Sequence, residues 1–130
     1  MDLPGSVVGI GVDIVDVRRL KRTLERTPGF VARVFTARER ELSGGAALRP
    51  ASLAARWAAK EAVVKVLVDS RGLEWHDCEV LNGSRGEPLF VMTGTVLAAA
   101  QARGIGAWQL SLSHDGDMAV AFVVATRGAQ

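Results

Sequence analysis

The chain has one cysteine, no tyrosine, two histidines and little net charge. Each shortage closes off a class. A lone Cys78 cannot form an intramolecular disulfide or build a four-cysteine zinc site. Three Trp and four Phe, scattered along the chain, give no aromatic platform for stacking bases, and a net charge of +2 gives no strong pull on nucleic acid. No apolar run approaches the ~20 residues that span a bilayer. The opening Met1-Asp2-Leu3-Pro4-Gly5 carries an acid where a secretory signal carries basic residues. The expectation is a soluble cytoplasmic protein with no membrane or nucleic-acid partner.

What is present is core-forming material. Of 130 residues, 48% are hydrophobic, enough to exclude disorder and to fill one domain spanning residues 1–130. The charge is unevenly placed: residues 1–68 hold twelve of the sixteen Lys and Arg. Arg18, Arg19, Lys21, Arg22 and Arg26 cluster in one short segment, which draws an acidic partner or is a solvated helix face.

Val7–Val15 reads as a strand, apolar and β-branched around Gly9 and Gly11. Asp16 caps a helix running to Arg26, stopped by Thr27-Pro28-Gly29. Phe30–Phe35 continues as a short helix, and Thr36-Ala37-Arg38-Glu39 starts another with a capping box. Ala51–Asp69 is the longest periodic segment and the clearest helix. Trp75–Leu81 and Pro88–Met92 read as strands, Thr93–Gly104 as an alanine-rich helix, and Ala107–His114 with Met118–Thr126 as a closing hairpin around Asp115-Gly116-Asp117. Two consecutive strand pairs favour an α+β fold, an antiparallel sheet packed on a long central helix, over a Rossmann alternation.

In the central helix, Leu53, Trp57, Val64, Leu67 and Val68 form an apolar stripe. Lys60 lies roughly 40° to one side of it and Glu61 roughly 60° to the other, at ~100° per residue. A charge beside a buried face needs a partner, a metal or a ligand. Lys65 follows Glu61 by four, a spacing that also suits an ordinary helical ion pair. Asp13 interrupts an apolar strand just after Gly9-Ile10-Gly11, where the third glycine of a dinucleotide fingerprint is missing. An acid there either caps the following helix, a job Asp16 can also do, or ligates a metal; with Glu61 it makes a carboxylate pair able to hold one Mg²⁺ while water and substrate phosphate complete the octahedron. Ser111-Leu112-Ser113-His114 is no nucleophile–base set, because neighbours on a strand point to opposite faces. His76 reads as surface and Cys78 as a small core residue.

Gly9-Ile10-Gly11-Val12-Asp13, Phe35-Thr36-Ala37-Arg38-Glu39, Arg56-Trp57-Ala58-Ala59-Lys60-Glu61-Ala62-Val63-Val64-Lys65 and Ser111-Leu112-Ser113-His114 stand in an order that resembles the holo-[acyl-carrier-protein] synthases, the short 4′-phosphopantetheinyl transferases. The likeness runs from Val8 to Val124 and leaves residues 1–7 as a short N-terminal extension. It implies a 4′-phosphopantetheinyl transferase-like fold. It also implies an enzyme of fatty acid biosynthesis that moves the phosphopantetheine arm of coenzyme A onto a serine of apo acyl carrier protein, free or as a synthase domain, releasing 3′,5′-ADP. By the same likeness Asp13 and Glu61 hold Mg²⁺, and Lys65 and His114 stand near the coenzyme A phosphates, with Arg56 and Lys60 as further candidates there. Glu61 or a metal-bound water is the base. Arg18, Arg19 and Arg22 dock the carrier, Arg19 first.

Larger relatives contain two similar halves with the cofactor between them, so a chain of one half's length implies a homotrimer with shared sites. The last strand supports this, since Val120, Phe122 and Val124 alternate with Ala119, Ala121, Val123 and Ala125 and make both faces apolar. Such a strand is either covered by another copy or central in its sheet. A basic binding module is the competing reading but leaves Asp13 and Glu61 unexplained. A metal-dependent phosphohydrolase would use the same acids with water as acceptor.

Overall fold

The computed structural model describes residues 3–129; of the proposed extension, Met1 and Asp2 lie outside the described residues. Strand β1 (Val7–Asp16) leads into helix α1 (Val17–Arg26), whose first turn is capped by the Asp16 carboxylate accepting from the Arg19 amide. Helix α2 (Phe30–Val34) follows the Pro28-Gly29 break. Helix α3 (Ala37–Leu42) opens with the full capping box of Thr36 and Glu39. The long helix α4 (Pro50–Leu67) comes next, then a single 3₁₀ turn at Trp75–Asp77. Strands β2 (Cys78–Asn82) and β3 (Pro88–Met92) pair with each other, and helix α5 (Gly94–Ala102) leads to β4 (Ile105–Asp115) and β5 (Met118–Arg127). The strand expected from Trp75 starts three residues later, because Trp75–Asp77 turns to place the Asp77 carboxylate on the Thr95 amide at the start of α5.

Both sheets are antiparallel, as the α+β reading requires. One has the order β1-β5-β4; the other is the β2-β3 pair. β5 is therefore the middle strand of its sheet, one of the two places its apolar faces allow. Its buried face, Ala119, Ala121, Val123 and Ala125, packs under α4 and the helices beside it. The opposite face, with Phe122 beside Val12 and Val120 beside Ile14, is open.

Helix α4 sits against β1 and β5 through small side chains. Ala58, Ala59 and Ala62, with Val63 and Val66, are fully or almost fully buried. The bulky stripe expected from the sequence is only partly the buried one: Leu53 and Leu67 are inside, but Val64 and Trp57 are half-buried and Val68 is exposed. Gly9 and Gly11 explain the close approach. A Cβ on Gly11 would stand 2.2 Å from the Ala62 carbonyl oxygen, and one on Gly9 would stand 3.0 Å from Val66. These glycines admit a helix rather than a nucleotide. Gly5 and Ser6, from the proposed extension, are tied by backbone hydrogen bonds to Arg127 at the end of β5.

Candidate active site

Where α4 crosses β1, a cleft of about 560 Å³ opens between β1, α1 and α4. Its polar wall carries Asp13, Asp16, Arg19 and Glu61; its apolar wall carries Leu20, Phe30, Trp57 and Met118. Asp13 and Glu61, the two acids that interrupt apolar elements in the sequence, thus meet at one place. Burial first, and then the negative charge of Asp13, raise the Glu61 carboxyl above its ordinary value. The Lys65 charge and a hydrogen bond from Trp57 act in the opposite direction. Two carboxylates on separate elements that face one open cleft are hard oxygen donors of the kind that could hold a small divalent cation. No cluster of three or more His, Cys, Asp or Glu able to hold a metal exists among the described residues. A cation that keeps water and takes substrate oxygens needs only the two.

Lys65 does not make the simple helical pair with Glu61 that its spacing allows. Its ammonium reaches across to β1, donating to Asp13 Oδ1 and to the Val12 carbonyl, both at 2.8 Å. The site therefore brings together Asp13, Glu61 and Lys65, with Arg19 on its rim. Trp57 is a member that the sequence reading placed only in the apolar stripe. It stands one turn before Glu61, on the same side of α4, and its indole is wedged edge-on between Phe30 and Trp75 at 5.4 and 4.8 Å between ring centres. The signal was an indole N–H four residues before an acid, a spacing at which helical side chains meet.

Arg56 and Lys60 lie elsewhere, and the expectation that they face a coenzyme A phosphate is revised. The Lys60 side chain is 0% exposed, and its three N–H bonds are taken by Glu39 Oε1 at 2.8 Å and by the carbonyls of Trp75 and Cys78. Glu39, equally buried, accepts in turn from the amides of Thr36 and Val80. Arg56 is buried too, giving its guanidinium to the Val80 carbonyl, Ser43, Ser52 and Asn82. Burial pushes its pKa down, though an arginine stays charged. Both cations knit α4 to α3 and β2.

His114 is exposed near the end of β4. It shares a sheet face with Asp13, but β5 runs between their strands, so the two are at least about 10 Å apart by strand spacing. It does not line the cleft. Arg19 and Arg22 line a shallow basic groove with Thr23, Arg26 and Thr27, continuous with the cleft through Arg19 and Thr23. Arg18 turns instead to Asp117 on the β4–β5 hairpin, at 2.8 Å. His76 is exposed, with Nε2 2.7 Å from the Ala32 carbonyl oxygen. Cys78 is buried, and desolvation pushes its thiol up to about 12, which makes it inert.

Comparison with known proteins gives one consistent result. The family model of the 4′-phosphopantetheinyl transferase superfamily matches residues 9–123. A holo-[acyl-carrier-protein] synthase of Frankia casuarinae is 58% identical over 120 residues, which is 92% of this chain and 98% of that protein. The crystal structure of holo-ACP-synthase from Plasmodium yoelii superposes with a TM-score of 0.84 at 27% identity, covering 98% of this chain and all of that one. The ACPS–CoA complex of Chronobacterium ammoniagenes gives a TM-score of 0.78 at 31% identity, covering 92% and 97%.

Proposed function

The chain belongs to the 4′-phosphopantetheinyl transferase superfamily, and from that premise we propose how its own residues divide the work. It transfers the phosphopantetheine arm of coenzyme A to a serine of apo acyl carrier protein, as its relatives' names and their coenzyme A complexes support. In the reaction the serine oxygen bonds to the phosphorus that carries the pantetheine arm. The bond from that phosphorus to the bridging oxygen breaks, 3′,5′-ADP leaves, and the serine proton passes to a base. The product serves fatty acid synthesis.

What carries the assignment of roles is the meeting of Asp13 and Glu61 across one cleft. These two would hold Mg²⁺, which when bound would supply positive charge toward the pyrophosphate of coenzyme A. Glu61 is also the protein's own candidate proton acceptor for the serine hydroxyl, since it is the carboxylate of α4 that faces the cleft beside Asp13. Trp57 holds the Glu61 carboxylate in place. Lys65, one turn along α4, meets a coenzyme A phosphate. Arg19 and Arg22 receive the acidic carrier beside the cleft; Arg18 contributes less because Asp117 already occupies it. Reversing the charge of Arg19 and Arg22 raises KM for the carrier and spares KM for coenzyme A, an effect that fades with salt. Unchanged KM for the carrier at low salt would make the groove a solvated face.

The working unit in this reading is a homotrimer. Ile10 and Ile14 on β1 and Phe122 on β5 leave the open sheet face 57, 58 and 44% exposed, a contiguous apolar patch that a second copy covers. His114, remote from the cleft of its own chain and on the α4 side of the sheet rather than the open face, is in this reading supplied to the cleft of a neighbour. No helix among the described residues is long and apolar enough to cross a membrane. We assign the reaction to the cytoplasm, the kind of compartment in which a chain with a single unpaired cysteine is ordinary.

The test combines protein, coenzyme A, Mg²⁺ and apo carrier, followed by mass spectrometry of the carrier. A gain of one phosphopantetheine arm is the expected result. Phosphate products without carrier modification would mean a hydrolase, and inertness a binding module.

A further inference from the structure

The ammonium of Lys65 stands where a metal would have to compete with it. It lies 2.8 Å from Asp13 Oδ1, and the Asp13 side chain is only 11% exposed, so little water shares that carboxylate. A divalent cation held by Asp13 and Glu61 would sit against a positive charge already bound to one of its two ligands. Both acceptors of Lys65, Asp13 Oδ1 and the Val12 carbonyl, belong to β1, so leaving one means leaving both. The side chain itself is 54% exposed on a flexible four-carbon stem and can swing off β1 without disturbing the core.

We infer that Lys65 is a built-in counter-ion that competes with the divalent cation for Asp13, and that its transfer to a phosphate of coenzyme A couples metal binding to substrate binding. The inference rests on the reading of Asp13 and Glu61 as the metal-holding carboxylates. Without the anionic substrate, Lys65 neutralises Asp13 and metal affinity is low. When a phosphate draws the ammonium away, Asp13 is released to the cation. Because coupling is reciprocal, the metal must strengthen coenzyme A binding by the same factor.

The measurement is Mn²⁺ binding to the intact protein, read from the electron paramagnetic resonance signal of the free ion, with and without coenzyme A. Wild-type protein should bind Mn²⁺ weakly alone and more tightly with coenzyme A. Lys65→Met should bind Mn²⁺ alone more tightly than wild type, by roughly three- to tenfold for loss of one partly exposed charge pair. The gain on adding coenzyme A should shrink in the same variant. Lys65→Gln should follow Lys65→Met, and Lys65→Arg should stay close to wild type, since charge and not shape sets the competition. Equal Mn²⁺ affinity of wild type and Lys65→Met without coenzyme A would overturn the inference while leaving the metal site standing. Wild-type affinity in Asp13→Asn and Glu61→Gln would remove the site itself, and the inference with it.

Discussion

At the scale of single residues, charges that broke an apolar pattern pointed to the candidate site in two cases and to a buried ion pair in a third. Asp13 interrupts a β-branched strand and Glu61 lies beside a buried helix face, and both face the cleft. Lys60 was flagged by the same argument and did need a partner, but that partner is Glu39, a protein carboxylate and not a ligand. Glu39 itself was hidden because its capping box with Thr36 already accounted for it locally. A residue with a sufficient local role gives no sign of a second, distant one. Glu61 has a cost that can be measured. Its carboxyl is held above the range it has in the unfolded chain, so below the unfolded value both states are protonated and no penalty exists. As pH rises from there through the folded value, the unfolded state loses its proton first and the folded state loses stability. Glu61→Gln, in chelator, should therefore melt higher than wild type at pH 7, with the gap closing below about pH 4. A Tm lower than wild type at both pH values would contradict the strain assigned to this carboxyl.

At the scale of elements, strand and helix order followed from periodicity and turn chemistry, while helix orientation did not. Counting bulky residues on α4 pointed to a stripe including Val64 and Val68, yet the helix docks through Ala58, Ala59 and Ala62. Alanine is quiet in a hydropathy pattern, and only the paired fact of Gly9 and Gly11 on β1 announces the close contact. The Glu39–Lys60 pair then fixes α4 against α3 and β2 from the other side. Lys60→Met should destabilise by about 3–5 kcal/mol, because it leaves a buried carboxylate without its charge partner. Glu39→Gln combined with Lys60→Met should cost less than the sum of the two single changes, as a double-mutant cycle in urea will read. Where folded Lys60→Met protein is obtained, its KM for coenzyme A should match wild type, since Lys60 touches only protein. Additive costs, or a raised KM for coenzyme A, would return Lys60 to the substrate.

At the scale of the whole molecule, two apolar faces on β5 allowed either cover by another copy or a central place in the sheet, and the strand is central, with one face under α4 and the other open. A sequence shows that a face is apolar; it does not show whether the same chain or another copy covers it. Phe122→Glu, on the open face and away from the cleft, should dissociate a trimer to smaller species in light scattering and lower activity with it. A wild-type monomer at assay concentration would defeat the shared-site arrangement. Chains carrying Glu61→Gln mixed with chains carrying His114→Ala should recover part of the activity, because some interfaces pair two intact halves. Catalysis in this scheme rests on Asp13 and Glu61 acting together, and the most direct measurement is the initial rate of carrier mass gain with coenzyme A and saturating Mg²⁺ in Asp13→Asn and Glu61→Gln. The account predicts that each variant stays folded and loses turnover by orders of magnitude; near-normal turnover in either one would contradict it.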